Sequence, residues 1–194
     1  AEPAVFAHVM VSFKTQAVSG EWRGWRHVSD RSQHDPSRYD DAGLPDVASR
    51  RHPLIGPYDM TDPDVAEYHA QLAKLTGIDG FAFDVGYYIE PADGTVFWNV
   101  DAVARYIAAM QRYGLRGVVI YEDKVHWSYN QHAPTREDAV SAAYADLTRW
   151  MAMMSPVQYR IGDRPLMGTF SYAHEWGEKG TGRLSIDEIA AWRD

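Results

Sequence analysis

One segment of the sequence limits the possible folds more than any other, because it joins a capped helix directly to a short buried strand. Thr61 or Asp62 can cap the helix, and Pro63 fits its first turn. Gly77 suits the left-handed backbone conformation that ends many helices. The apolar run at 78–83 has the length and character of a strand covered on both faces, which is typical of parallel sheets.

Strands and helices alternate along the rest of the chain. The candidate strands are residues 4–13, 78–83, 116–121 and 166–170, and the candidate helices are 62–76, 99–113, 135–154 and one beginning near 189. Helices between buried strands predict a parallel sheet. In the first helix, Val65, His69 and Leu72, with Ala73 or Thr76, fall on one face and predict its buried side.

This alternation predicts an α/β fold, and specifically a (β/α)8 TIM barrel. The chain holds about the first four βα units of such a barrel, as a single catalytic-type domain over residues 1–194. A small open doubly wound sheet is the rival fold, but no glycine-rich phosphate loop follows the first strand. Because the sequence stops close to a new helix start, we expect truncation at the C-terminal end, with the remaining half of the barrel supplied by the same longer chain or by a second chain.

Composition and motifs exclude several classes of protein. The formal net charge of −8 argues against a nucleic-acid partner, and no apolar run is long enough to span a membrane. Cysteine is absent, and neither a His-Glu-x-x-His motif nor a Gly-x-Ser-x-Gly elbow occurs, so we predict no metal and no cofactor. The start at Ala1 without methionine favours a secreted or periplasmic chain.

Acidic side chains stand where the predicted strands end. The carboxyl ends of parallel strands face the active site in barrels, and glycoside hydrolysis usually needs two carboxyl groups. We therefore assign catalytic roles to Glu122 and Asp84. Each has a structural alternative. Glu122 can form an ion pair with Lys124 or a neighbouring Arg, and Asp84 can accept a hydrogen bond from the turn at Gly86-Tyr87.

Aromatic side chains cluster after the same strand ends, as expected of a groove that binds sugar rings. Trp25, in the long polar segment 14–51, can either line a cleft or hold that segment against the body of the domain. The candidate substrate-binding residues are His8, Tyr58, Asp59, Tyr87, Tyr88, Trp127, Tyr172 and Glu175.

Two segments resemble known glycosidases. HPLIGPYDMTDPDVAEYHAQLAKLTGIDGFAFD, at 52–84, resembles the endo-α-mannosidases of glycoside hydrolase family 99, which carry a similar Pro-x-x-Gly-Pro-Tyr turn before a helix. AVFAHVMVSF, at 4–13, resembles the first strand of the α-1,3-glucanases of family 71. A weaker likeness extends over 116–172. The resemblance implies the N-terminal half of a barrel that cleaves α-linked glycans internally.

The resemblance also bears on individual residues. In the mannosidases a strand ends in Ile-Glu-Pro-Tyr, and its Glu acts as a base on a neighbouring sugar hydroxyl; the matching residue here is Glu122, without the Pro-Tyr. The family's Glu-Trp-His-Glu motif is absent, and His174-Glu175-Trp176 has another order and does not inherit its role. Asp84 receives no support from the family.

Together these features predict a glycoside hydrolase that acts on an α-linked oligosaccharide or polysaccharide. Two alternatives stay open. One is a carbohydrate-binding barrel protein without catalytic activity, and the other is a small α/β enzyme complete in 194 residues.

Overall fold

The computed structural model describes residues 3–26, 34–86, 100–122, 135–169 and 186–191. The strands are β1 (Phe6–Met10), β2 (Gly80–Val85), β3 (Arg116–Tyr121), β4 (Arg160–Ile161), β5 (Arg164–Pro165) and β6 (Met167–Thr169). The helices are α1 (Gln16–Ser19), α2 (Pro63–Thr76), α3 (Val100–Tyr113), α4 (Arg136–Met154) and α5 (Ile186–Ala191). None of these described helices has the length and apolar character needed to cross a membrane.

Within the described ranges the main sheet contains four parallel strands in the order β1-β2-β3-β6. In sequence, α2 connects β1 to β2 and α3 connects β2 to β3. Helix α4 follows β3 and precedes β6. Strands β4 and β5 form a separate antiparallel pair. The predicted α/β class is confirmed. Among the described strands the order does not reverse, as it would in a doubly wound sheet.

Helix α2 begins and ends at the predicted residues because its caps are local. The side chain of Asp62 accepts a hydrogen bond from the backbone N–H of Asp64, and Pro63 occupies the first turn. Gly77 has a φ of 77° and donates its N–H to the carbonyl of Ala73.

The buried face of α2 agrees only in part with the predicted one, because Ala73 is buried as predicted. Ala66, Ala70 and Ala73 are buried, whereas Leu72 is 44 % exposed. The prediction that Leu72 belongs to the buried face is wrong. Small alanine side chains face the core, and the larger leucine lies at the side of the helix.

The helices cover one face of the sheet. Phe81 and Phe83 of β2 point towards α3, where the ring of Tyr106 meets them edge-on with centroids 5.5 and 5.7 Å apart. Val119 of β3 and Trp150 of α4 complete the same core and are fully buried. Burial of each such large side chain stabilises the fold by about 1.5–3 kcal/mol.

The first strand ends earlier than predicted, and the fourth begins one residue later than predicted. β1 ends at Met10, and Phe13 leaves the line of the strand to pack against Trp25, with ring centroids 4.6 Å apart. The last strand of the sheet is β6, and Phe170, predicted to end it, lies outside the described residues.

Candidate functional site

The candidate site lies on the sheet face opposite the helices. Successive residues of a strand point to opposite faces, so this face carries every second residue. One row across the sheet contains His8, Ala82 and Val118, and the next row towards the carboxyl ends contains Met10, Asp84, Ile120 and Gly168. At the amino ends the same face is apolar, since Phe6 packs against Tyr159 with ring centroids 5.0 Å apart. The polar side chains therefore lie at the carboxyl ends, where the sequence predicts the site.

His8 and Asp84 are in contact on this face. Nε2 of His8 lies 3.2 Å from Oδ2 of Asp84, across the pair of adjacent strands β1 and β2. Asp84 is only 3 % exposed, whereas the His8 side chain is 50 % exposed. A buried carboxylate needs hydrogen-bonding partners, and His8 supplies one of them. The imidazole thus joins a shielded carboxylate to a surface that a ligand can reach.

Glu122 extends the same face by one further row. Its backbone N–H donates to the carbonyl of Val85 at 2.8 Å, so strand-like pairing continues past the end of β3. Asp84 is in register with Ile120, two residues before Glu122. With strands about 4.8 Å apart and a rise of about 3.3 Å per residue, the Cα atoms of Asp84 and Glu122 lie roughly 8 Å apart. Glu122 is 7 % exposed, so two shielded carboxylates occupy the ends of neighbouring strands.

Asp59 has an internal role. Its Oδ2 accepts from the backbone N–H of Thr15 at 2.8 Å, and its Oδ1 accepts from the N–H and the hydroxyl of Thr61 at 2.9 and 2.6 Å. Burial acts to raise the pKa of Asp59, but these hydrogen bonds, with one from Ser19, outweigh it and hold the pKa below its usual value. Asp59 is 1 % exposed, which favours this structural role over the predicted contact with substrate.

Tyr58 belongs to an aromatic cluster beside β1. Its ring lies 5.0 Å from those of Trp25 and His69, and Nε1 of Trp25 donates to its carbonyl at 2.8 Å. This hydrogen bond holds the long polar segment 14–51 against the body of the domain. Of the two predicted roles of Trp25, the structure therefore favours anchoring this segment over lining a cleft. Burial raises the pKa of Tyr58 and keeps its hydroxyl protonated.

A cavity of about 340 Å³ runs along the outer side of β1. It is lined by His8, Tyr58, His69, Leu72 and further apolar side chains of β1, β2, α2, α3 and the segments that join them. Of the predicted substrate-binding residues, His8 and Tyr58 therefore share one cavity.

The other predicted site residues cannot be placed with these. Tyr87, Tyr88, Trp127, Tyr172 and Glu175 lie outside the described residues. Within the described ranges, no group of three or more His, Asp or Glu side chains has an arrangement that could hold a metal ion. Gly168 lies on the same face but is not among the predicted residues, and its only signal in the sequence is a glycine in the middle of a short strand.

The fold and the site define an α/β protein with shielded carboxylates at the carboxyl ends of adjacent parallel strands. No family model matches the chain, and no curated protein matches it either. Among solved structures, it is similar to the GH99 endo-alpha-mannosidase from Bacteroides thetaiotaomicron in complex with BIS-TRIS-propane. That match has 13 % identity and a TM-score of 0.59, and covers 88 % of this chain and 42 % of the mannosidase chain.

A second structure of the Bacteroides thetaiotaomicron enzyme gives the same result. It matches with 14 % identity and a TM-score of 0.56, and the match covers 86 % of this chain and 45 % of that one. At these identities the likeness shows the fold alone. This chain spans less than half the length of the glycosidases that it matches.

Proposed function

We propose that this chain forms part of a glycoside hydrolase with a (β/α)8 barrel, which cleaves an α-linked polysaccharide or glycan internally. The observation that carries the proposal is the contact of His8 with Asp84 at the carboxyl ends of adjacent parallel strands, with Glu122 following on the next strand. The fold likeness to endo-alpha-mannosidases supports the same class.

The two carboxylates have different proposed tasks. Glycoside hydrolysis passes through a transition state in which positive charge develops on the sugar ring. Glu122 exchanges a proton with the substrate, as its resemblance to the family's base implies. Asp84, oriented by His8, stabilises the developing positive charge or holds a sugar hydroxyl. The acid that protonates the leaving group is then a further carboxyl group, supplied by the part of the barrel that the described strands do not include.

The outer edge of β1 is evidence that further strands and helices pack beside the described part of the barrel. Among the described residues β1 pairs with β2 and with no strand on its other side, and an unpaired edge readily accepts another strand. The apolar cavity beside this edge, with the half-exposed Leu72, gives a helix next to such a strand a place to pack. We propose that the remaining half of the barrel covers this edge, from the same longer chain or from a second chain.

The catalytic assignment is tested on the purified full-length protein, with α-mannan and α-1,3-glucan as probes and new reducing ends as the readout. Removal of a proton-transferring group typically lowers the rate about 10²–10⁴-fold, and we expect this for Glu122→Gln and a smaller loss for Asp84→Asn. Glu137→Gln is the matched control, because Glu137 is exposed on α4.

Each outcome of this experiment points to a specific conclusion. Cleavage by wild type at a rate that Glu122→Gln does not lower would refute the role of Glu122. Binding of either glycan without cleavage would favour the alternative, a carbohydrate-binding barrel protein without catalysis. Neither binding nor cleavage of either glycan would refute action on these two substrates.

A further inference from the structure

Packing accounts for two glycines of the main sheet. A Cβ atom built on Gly80 would lie 1.7 Å from the backbone oxygen of Arg116, and one built on Gly117 would lie 2.3 Å from Sδ of Met154. The backbone leaves no room for a side chain at Gly80, and a side chain at Gly117 would have to displace the end of Met154, so packing favours glycine at both positions.

No such clash explains why residue 168, in the middle of β6, is glycine. Among the described atoms, a Cβ built on it would meet only the side chain of Ile120, at 3.5 and 4.0 Å, which is ordinary van der Waals distance. Its φ is not among the positive values that favour glycine. A glycine inside a strand weakens it, and often marks a place where a ligand approaches the backbone closely.

The register places Gly168 on the face of the candidate site. It pairs with Ile120, which pairs with Asp84. In this row Asp84 and Ile120 carry side chains that project from the sheet. Gly168 has none, which leaves a gap in the row above the backbone of β6. Glu122 lies two residues beyond Ile120 on the strand next to β6, so the gap is diagonal to Glu122.

We propose that Gly168 determines specificity by keeping clear, beside Glu122, the space that one sugar ring of the α-linked substrate occupies. The apolar face of a pyranose fits against the bare backbone and Ile120, while its hydroxyl groups reach towards the carboxylates. This inference rests on the proposed function, because it assigns a place to the substrate of that same site.

Binding can be separated from catalysis in the Glu122→Gln variant of the full-length protein. The probe is an α-linked mannotetraose, and the dissociation constant is measured by titration calorimetry. One extra or missing methylene group in a binding pocket is worth about 10–200-fold in discrimination. When Gly168→Ala is added to the Glu122→Gln variant we therefore expect roughly 10-fold weaker binding, and when Gly168→Leu is added, more than about 100-fold weaker binding.

Thr169→Val is the matched control, since it changes the adjacent residue of β6, which points to the opposite face. It should leave the dissociation constant unchanged. Thermal unfolding of every variant reports on the fold, and Gly168→Ala should melt at the temperature of its parent because its Cβ meets no close atom among those described.

The outcomes separate the two proposals. If Gly168→Leu remains folded and binds as tightly as its parent, the role of Gly168 is refuted and the proposed function stands. If Gly168→Leu does not fold, Gly168→Ala decides, and unchanged affinity again refutes the role. If wild type cleaves none of the α-linked probes and Glu122→Gln binds no mannotetraose, action on these substrates is refuted and this inference fails with it.

Discussion

Nε2 of His8 lies 3.2 Å from Oδ2 of Asp84, although 76 positions separate the two residues in the chain. The contact forms because β1 and β2 pair in parallel, with Met10 opposite Asp84 and His8 one row below. It joins a half-exposed imidazole to a carboxylate that is shielded from water. A shift of the register by one residue would turn Asp84 to the helix-covered face and remove the contact.

We expect His8→Ala to lower the free energy of unfolding by about 1–3 kcal/mol, because it removes a hydrogen-bonding partner of a buried carboxylate. His8→Gln keeps a side-chain donor and should lose less. Urea unfolding at neutral pH measures both values. Equal stability of His8→Ala and wild type would show that the contact does not stabilise the fold.

Asp59→Ala should be destabilised by about 1–3 kcal/mol or more at neutral pH, since three donors from Thr15 and Thr61 lose their acceptor. The pKa of Asp59 is lowered in the folded state, so its contribution is complete above the unfolded pKa and is lost as the pH falls through the folded one. Below about pH 4 the difference between wild type and Asp59→Ala should therefore shrink. Urea unfolding at pH 7 and at pH 3 would detect this change, and a constant difference would contradict it.

His69 should make the fold sensitive to mild acid. Burial lowers the pKa of His69, so the unfolded chain takes up a proton at a higher pH than the folded chain does. Stability then decreases as the pH falls below about 6.5, the usual pKa of histidine. His69→Phe should flatten this dependence between pH 7 and pH 5, as followed by urea unfolding, and His52→Phe at an exposed position serves as the control. An unchanged slope in His69→Phe would contradict the prediction.

The strand glycines should differ in their tolerance of alanine. Gly80→Ala places Cβ against a backbone oxygen and should prevent folding, whereas Gly117→Ala meets the flexible end of Met154 and should cost about 1–3 kcal/mol. Gly168→Ala should leave stability unchanged or slightly raised. Circular dichroism and thermal melting rank the three variants. A Gly168→Ala variant as unstable as Gly117→Ala would show that unpredicted packing surrounds Gly168.

Local signals predicted more of this fold than long-range ones did. The caps at Asp62 and Gly77 fixed the ends of α2 because each acts within a few residues. The buried face of α2 was predicted only in part: Ala73 is buried as predicted, but hydrophobicity favoured Leu72 whereas close packing selects alanine at Ala66 and Ala70.

The positions of Asp84 and Glu122 at strand ends were predictable from the sequence, but the contacts around them were not. Asp84 and Glu122 were identified from their positions at strand ends, and the structure places both on one face. The pairing of His8 with Asp84 depends on strand register, which no short stretch of sequence encodes. The hydrogen bonds of Asp59 likewise depend on the approach of Thr15 from a distant segment. The catalytic roles, and the secreted or periplasmic location, stay predictions.

The alternation of side chains along β2 and β3 separates two kinds of evolutionary constraint. Phe81, Phe83 and Val119 face the helices and hold the domain together. The residues between them face the other way, so a change at Asp84 or Ile120 leaves the helix-packed layer intact. Because alternate residues face opposite sides of the sheet, selection can change the residues that contact a ligand without changing those that pack against the helices.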